Sequence, residues 1–270
     1  MKILEVNQEQ YNLTNSLLEK AKEGLDLSQF VNQRPEPKLE NNIGHVWVTG
    51  MLINNATPIE KQLGCTCYKD IIEDLEDLVE DGAQAIVLHV NSGGGSCNGA
   101  VEAANAVVNC PVPVVAIIDE TGCSAAYKIA CGATWLMSYP SANVGNIGTI
   151  LVVEDTSVLY NSMGISFEAF VGEENLLKSA GHLPSLTDDQ KVFLQERINE
   201  ASENFKQHVL ASRPDINPEV FKSGWYSGDT ALSLGLVDEL GNDDLAEQRA
   251  NELIYTFQPE ETPLIPEVEN

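Results

Sequence analysis

A serine, a lysine and a run of glycines are the residues of this chain whose types and spacing could do chemistry. Ser124 stands in Asp119-Glu120-Thr121-Gly122-Cys123-Ser124-Ala125-Ala126-Tyr127, among neighbours small enough to admit a substrate. A serine at a strand-to-helix junction can be a nucleophile, and on its own it reads more readily as a helix N-cap. A nucleophilic serine needs a base. The histidines are His45, His89, His182 and His208, and none has the sequence context of a triad histidine. A lysine can serve if it is neutral. Its reference pKa of about 10.4 must then fall by roughly three units, or about 4 kcal/mol, through burial or nearby positive charge. Lys178 lies between Leu176-Leu177 and Ser179-Ala180-Gly181, a suitable neighbourhood, although a lone lysine is ordinarily solvated. Lys128 competes for the role from the helix that follows Ser124, where geometry directs its side chain away from the serine.

The glycines lie in Asn91-Ser92-Gly93-Gly94-Gly95, read as a turn between a strand and a helix. Glycines there let backbone N–H groups approach a phosphate, a thioester oxygen of the CoA type or the oxyanion of a peptide tetrahedral intermediate. A tight turn that merely needs positive φ explains the same residues equally well. No Gly-Lys-Ser/Thr follows and the dinucleotide fingerprint is missing, so neither nucleotide motif applies.

These residues must be positioned by an α/β domain. His45–Ile53 is β-branched and strand-like, and Ala85–Val90 and Val112–Ile118 are continuous apolar runs, as expected of strands buried on both faces. Tyr68, Ile71, Ile72, Leu75, Leu78 and Val79 mark one face of a helix ending at Gly82. Further helices are expected over about Asn98 to Val108 and Ser124–Cys131, and strand and helix signals alternate through Phe170. Thr187-Asp188-Asp189-Gln190 is a capping box opening a long helix, with Leu194, Ile198, Ala201, Phe205 and Val209 at helical spacing. Alternation of this kind implies parallel βαβ units. The expected division is an arm and linker over 1–42, with a helix around Tyr11–Lys22, then one domain over 43–257, then a disordered acidic tail over 258–270.

Fifteen basic residues stand against 41 acidic ones in a chain of 270, for a net charge of −26. That sign opposes nucleic-acid backbones and anionic membranes, so neither is expected as a partner. No signal-like apolar stretch and no run long enough to span a bilayer is present, so the expected location is cytoplasmic. Cysteines 65, 67, 97, 110, 123 and 131 fit that compartment as free thiols, mostly small buried hydrophobes, and no metal or cofactor is expected.

From about Gly44 to Gly241, some three-quarters of its length, the chain resembles the signal peptide peptidase A family of Ser–Lys peptidases. The motifs occur in family order. They are Val90-Asn91-Ser92-Gly93-Gly94-Gly95, Cys123-Ser124-Ala125-Ala126-Tyr127, Gly145-Asn146-Ile147-Gly148, Gly164-Ile165-Ser166-Phe167 and Gly235-Leu236-Val237-Asp238-Glu239-Leu240-Gly241. Gly64-Cys65-Thr66-Cys67-Tyr68 is similar to a stretch of the tailed-phage capsid-assembly (head maturation) branch. The resemblance implies a single-domain ClpP/crotonase-like fold of repeated βαβ units, with an N-terminal helical arm. It implies a serine endopeptidase acting on phage scaffold and capsid proteins, in the host cytoplasm or procapsid, or on cytoplasmic peptides. It makes Ser124 the nucleophile, Lys178 the general base, Gly94 and Gly95 the oxyanion donors, and Asn146 the residue orienting the lysine. It also implies a homo-oligomeric ring or dome whose sites are shared between protomers. Gly93 stands where the family has proline, Ala125-Ala126 where it has Gly-Gly, and Asn146 where it has serine. A crotonase-type acyl-CoA enzyme and a ring-forming structural protein with a decayed site are the alternative readings.

Overall fold

Strand β3 (Ile43–Ile53) and strand β5 (Ala85–Ser96) grow from the first two apolar runs of the domain. The computed structural model describes residues 4–6, 16, 34–180, 183 and 185–257. Strands β6 (Val114–Cys123) and β7 (Trp135–Ser138) follow, and β3, β5, β6 and β7 pair side by side, all parallel. Parallel neighbours require crossovers. The short helix α1 (Pro58–Gln62) and helix α2 (Tyr68–Glu80) lie between β3 and β5, α3 (Ala100–Val108) joins β5 to β6, and α4 (Ala125–Ala130) joins β6 to β7. The fold is thus the expected α/β array of repeated βαβ units.

Shorter strands complete the sheet. Among the described residues, β10 (Glu239–Leu240) extends it parallel to β7, and β2 (Lys38–Glu40) closes the far edge antiparallel to β3. Strand β4 (Thr66–Cys67) pairs with the end of β3, β8 (Asn143–Gly145) with the end of β6, and β9 (Trp225–Ser227) with β8. Strand β1 (Leu4–Val6) pairs with the end of β5.

Alternation along β5 explains why its sequence is continuously apolar. Ile86, Leu88 and Val90 face a large core with Leu75, Ala104, Tyr127 and Phe205, while Ala85 and Val87 face a smaller one with Met137, Ala246 and Ala250. Burying each large aliphatic side chain is worth about 1.5–3 kcal/mol, so a polar residue on either face would be costly. The smaller core is covered by α8 (Asp243–Ile254), which follows the short helix α7 (Gly228–Ser233) in the chain. The capping box holds: the Thr187 hydroxyl accepts from the Gln190 amide at 3.3 Å, and the Gln190 side chain accepts from the Thr187 amide at 3.1 Å. It opens α6 (Asp188–Ser212), whose Leu194, Phe205 and Val209 are buried.

Three expectations need correction or limits. The glycine run is not a turn, because Gly93–Gly95 continue β5, pairing Met51 with Gly94 and Leu52 with Gly95. A Cβ on Gly95 would lie 1.7 Å from the Leu52 carbonyl oxygen, so this glycine serves close strand approach. Between Gly145 and Phe170, where strand and helix signals were expected to alternate, the described residues form only a short helix α5 (Ser157–Ser162), and a 3-10 turn (Leu176–Ser179) follows. The polar stretch expected as linker carries β2, and the Arg34 guanidinium bonds Asp74 and the Trp47 carbonyl. The helix expected around Tyr11–Lys22 (apart from Ser16), the 258–270 tail and His182 lie outside the described residues.

Candidate active site

Ser124 occupies the hinge where β6 becomes α4. Its φ of 57° and ψ of −123° place a non-glycine residue in a sparsely populated region. Such strain costs of order 1–3 kcal/mol and persists only where the surroundings over-determine it. Here they do: the Ser124 amide donates to the Gly145 carbonyl at 2.8 Å, and the Lys128 amide donates to the Ser124 carbonyl at 2.9 Å. Ala125, Ala126 and Tyr127 are fully buried behind it, and the Tyr127 hydroxyl donates to the Leu236 carbonyl at 2.8 Å. The N-cap reading fails, because the Ser124 side chain caps nothing. A strained strand-to-helix turn is a known device for presenting a serine hydroxyl for attack. Cys123 is no rival nucleophile, since burial pushes its thiol up to about 12.

Asn146 is brought beside Ser124. Strand β8 pairs Gly145 with Cys123, and Asn146 follows in a left-handed conformation (φ 52°) with its amide donating to the Gly224 carbonyl at 2.7 Å. Its half-buried side chain makes no hydrogen bond with another described residue, and so is available to a base. Gly94, with φ 101°, belongs to the same end of the sheet, because β5 pairs with β6 as far as Ser92 opposite Gly122. The Gly94 amide donates to the Ser92 hydroxyl at 3.1 Å, and that hydroxyl donates to the Gly50 carbonyl at 2.6 Å. Ser92 is therefore a residue of the site that motif reading did not assign a role. Its place inside the glycine motif was the available signal.

Lys178 is not joined to Ser124. It sits exposed on the 3-10 turn, which is tied to the start of α6 by Gln190, whose amide nitrogen donates to the Leu176 carbonyl at 3.1 Å and the Ser179 hydroxyl at 2.8 Å. The segment leading to it exposes apolar side chains that a solvated loop does not need: Val158 is 80% exposed, Phe170 89%, and Val152, Met163 and Leu176 more than 60% each. Lys128, by contrast, is 2% exposed, and its ammonium lies 4.4 Å from the centroid of the Phe205 ring. His208 of α6 bonds the Lys128 carbonyl at 3.0 Å, and burial, reinforced by the Lys128 charge, lowers its pKa to about 4.

A second polar cluster escaped motif reading. On the α8 side of the sheet, His45 Nδ1 and His89 Nε2 are 3.0 Å apart, and His89 Nδ1 meets Asp243 at 2.9 Å. Tyr139 donates to the other Asp243 oxygen at 2.8 Å, and Trp47 stacks on His89 at 4.9 Å. Burial lowers both histidine pKa values, so the group favours neutral rings.

The parallel βαβ domain thus places a strained serine at one strand end, near the glycines that end β5. The sequence model of peptidase family S49 matches residues 108–255, and the chain belongs to that family. It is 27% identical over 199 residues to a candidate protease of Methanocaldococcus jannaschii, covering 72% of this chain and 63% of the relative. It is also 27% identical over 210 residues to the capsid assembly protease C of Escherichia phage lambda, covering 75% of this chain and 47% of the relative. A ClpP1 variant from Listeria monocytogenes superposes with a TM-score of 0.47 at 14% identity, over 75% of this chain and 94% of that one. The chain thus spans between about half and two-thirds of the two relatives' lengths.

Proposed function

We propose that the chain is a serine endopeptidase in which Ser124 is the nucleophile and Lys178 of a neighbouring copy is the general base. The strained, uncapped Ser124 carries this reading. A non-glycine residue at φ 57° and ψ −123°, whose hydroxyl does not cap the helix it opens, is explained by chemistry at that hydroxyl. Membership of a peptidase family favours amide hydrolysis over acyl-CoA chemistry.

Ser124 Oγ attacks the scissile carbonyl carbon while its proton passes to Lys178 Nζ. The oxyanion is received by the backbone N–H groups of Gly94 and Gly95, with Gly94 exchanging its Ser92 partner. Collapse breaks the C–N bond as the lysine returns the proton to the leaving amine, and water then cleaves the acyl-enzyme. The Asn146 side-chain oxygen accepts a hydrogen bond from the lysine and orients it.

A lysine acts as a base only in its neutral form, which burial favours. Lys178 therefore has to be covered, and the apolar side chains exposed beside it require covering too. One partner satisfies both needs: a second copy that receives this segment beside its own Ser124. Substrates are polypeptides, and the likeness to a phage capsid assembly protease makes scaffold and capsid proteins the first to test.

Mixing Ser124→Ala with Lys178→Ala protomers tests the arrangement. Random reassembly places both functional residues at about one interface in four, so about a quarter of wild-type activity should return. Mixed oligomers that stay inactive, while a serine-directed acylating probe still labels Ser124 in wild type, would remove the shared site and leave the nucleophile. A failure to label Ser124 in correctly assembled wild type would remove the nucleophile itself.

A further inference from the structure

Strand β1 sets Val6 opposite Gly94, Glu5 opposite Gly95 and Leu4 opposite Ser96, antiparallel. Strand β3 holds the other edge of the same glycines. Earlier along β5, the edge away from β3 belongs to β6, as far as Ser92 opposite Gly122. Strand β6 then ends at Cys123 and the chain turns into α4 at Ser124. Residues 4–6 therefore take up the edge of β5 where β6 leaves it, next to the strained serine. A vacated strand edge offers a row of backbone donors and acceptors, and what it binds is an extended polypeptide. Here the chain supplies that polypeptide itself.

We propose that residues 4–6 are a cis-acting occupant of the peptide-binding edge, so that an extended substrate must displace β1 to reach Ser124. The inference rests on the peptidase reading and adds regulation to the same site. A tethered occupant acts at an effective concentration in the millimolar range. Substrate then binds only the open fraction of molecules, and its apparent affinity falls by that fraction. Three paired residues make a weak ladder, suited to displacement rather than permanent closure.

Proline has no N–H and is excluded from paired positions within a sheet. Antiparallel positions alternate between bonded and non-bonded pairs, so two full-length variants cover both phases. One is Glu5→Pro, and the other combines Leu4→Pro with Val6→Pro. Each is compared with wild type in cleavage of an extended fluorogenic peptide, and in amide hydrogen exchange at Gly94–Ser96. At least one variant should show KM lowered about tenfold at unchanged kcat, as expected if about a tenth of wild-type molecules are open. Exchange at Gly94–Ser96 should quicken in the same variant, and a synthetic peptide of residues 1–8 should compete with its substrate. Unchanged KM in both variants, with no competition by that peptide, overturns the occupancy while the peptidase reading stands. If no protein cleaves any peptide, the peptidase reading falls instead. Exchange that fails to quicken in either variant then refutes the occupancy by itself.

Discussion

Removing the Ser124 side chain should cost this protein less than removing an unstrained neighbour's. The comparison is between two alanine-to-glycine steps, Ser124→Ala against Ser124→Gly, and wild type against Ala125→Gly. Ala125 is fully buried and opens α4, directly after Ser124. At an unstrained buried site the step loses about 0.8 kcal/mol of methyl burial and about 0.5–1 kcal/mol of backbone entropy. Ala125→Gly should therefore destabilise by roughly 1.5 kcal/mol. At position 124 the same losses are offset by relief of the φ 57° conformation, of order 1–3 kcal/mol. The Ser124→Gly variant should then lie within about 1 kcal/mol of Ser124→Ala, or above it. Urea unfolding at a fixed protein concentration, with m-values compared between variants, measures both steps. The difference between the two steps is the strain. Equal costs at 124 and 125, within about 0.5 kcal/mol, would show that no strain is stored at the serine and would remove the observation on which the nucleophile assignment stands.

Burial and the Lys128 charge lower the His208 pKa from its ordinary 6.5 to about 4, so the unfolded chain binds a proton in that window that the folded chain refuses. Stability should fall by at most about 3 kcal/mol as pH drops from 6.5 to 4, and His208→Gln should flatten that fall in urea midpoints, with His45 and His89 leaving a residual slope. Asn146→Ser should keep or raise peptidase activity, whereas Asn146→Leu, which leaves the lysine unpartnered, should lower kcat/KM about tenfold; equal rates for Leu and wild type would take Asn146 out of the mechanism. Gly95→Ala forces a Cβ onto the Leu52 carbonyl and should cost about 3 kcal/mol or more, seen as lost soluble protein or a collapsed Tm; a Tm like that of wild type would show that β3 and β5 can part at no cost.

Strands buried on both faces and a capped helix are local properties, so β5, β6 and α6 could be read from runs and caps alone. Strand ends could not. Three glycines look like a turn, yet Gly93–Gly95 remain in the sheet because β3 on one side and residues 4–6 on the other supply ladders that no local window contains. Residues 4–6, within the segment read as an arm, supply one of those ladders. The His45–His89–Asp243 chain was invisible for the same reason, its links spanning 44 and 154 residues. Ser124 and Asn146 were singled out by motif likeness, while the backbone strain at Ser124 has no signature in residue type. The most informative mismatch lies between Gly145 and Phe170. Strand and helix signals were expected to alternate there, and Val152, Val158, Met163 and Phe170 are instead exposed. An apolar pattern reports that side chains are to be buried, without saying by which molecule. A segment patterned for burial, exposed here, and carrying Lys178 is what the proposed two-copy site would cover.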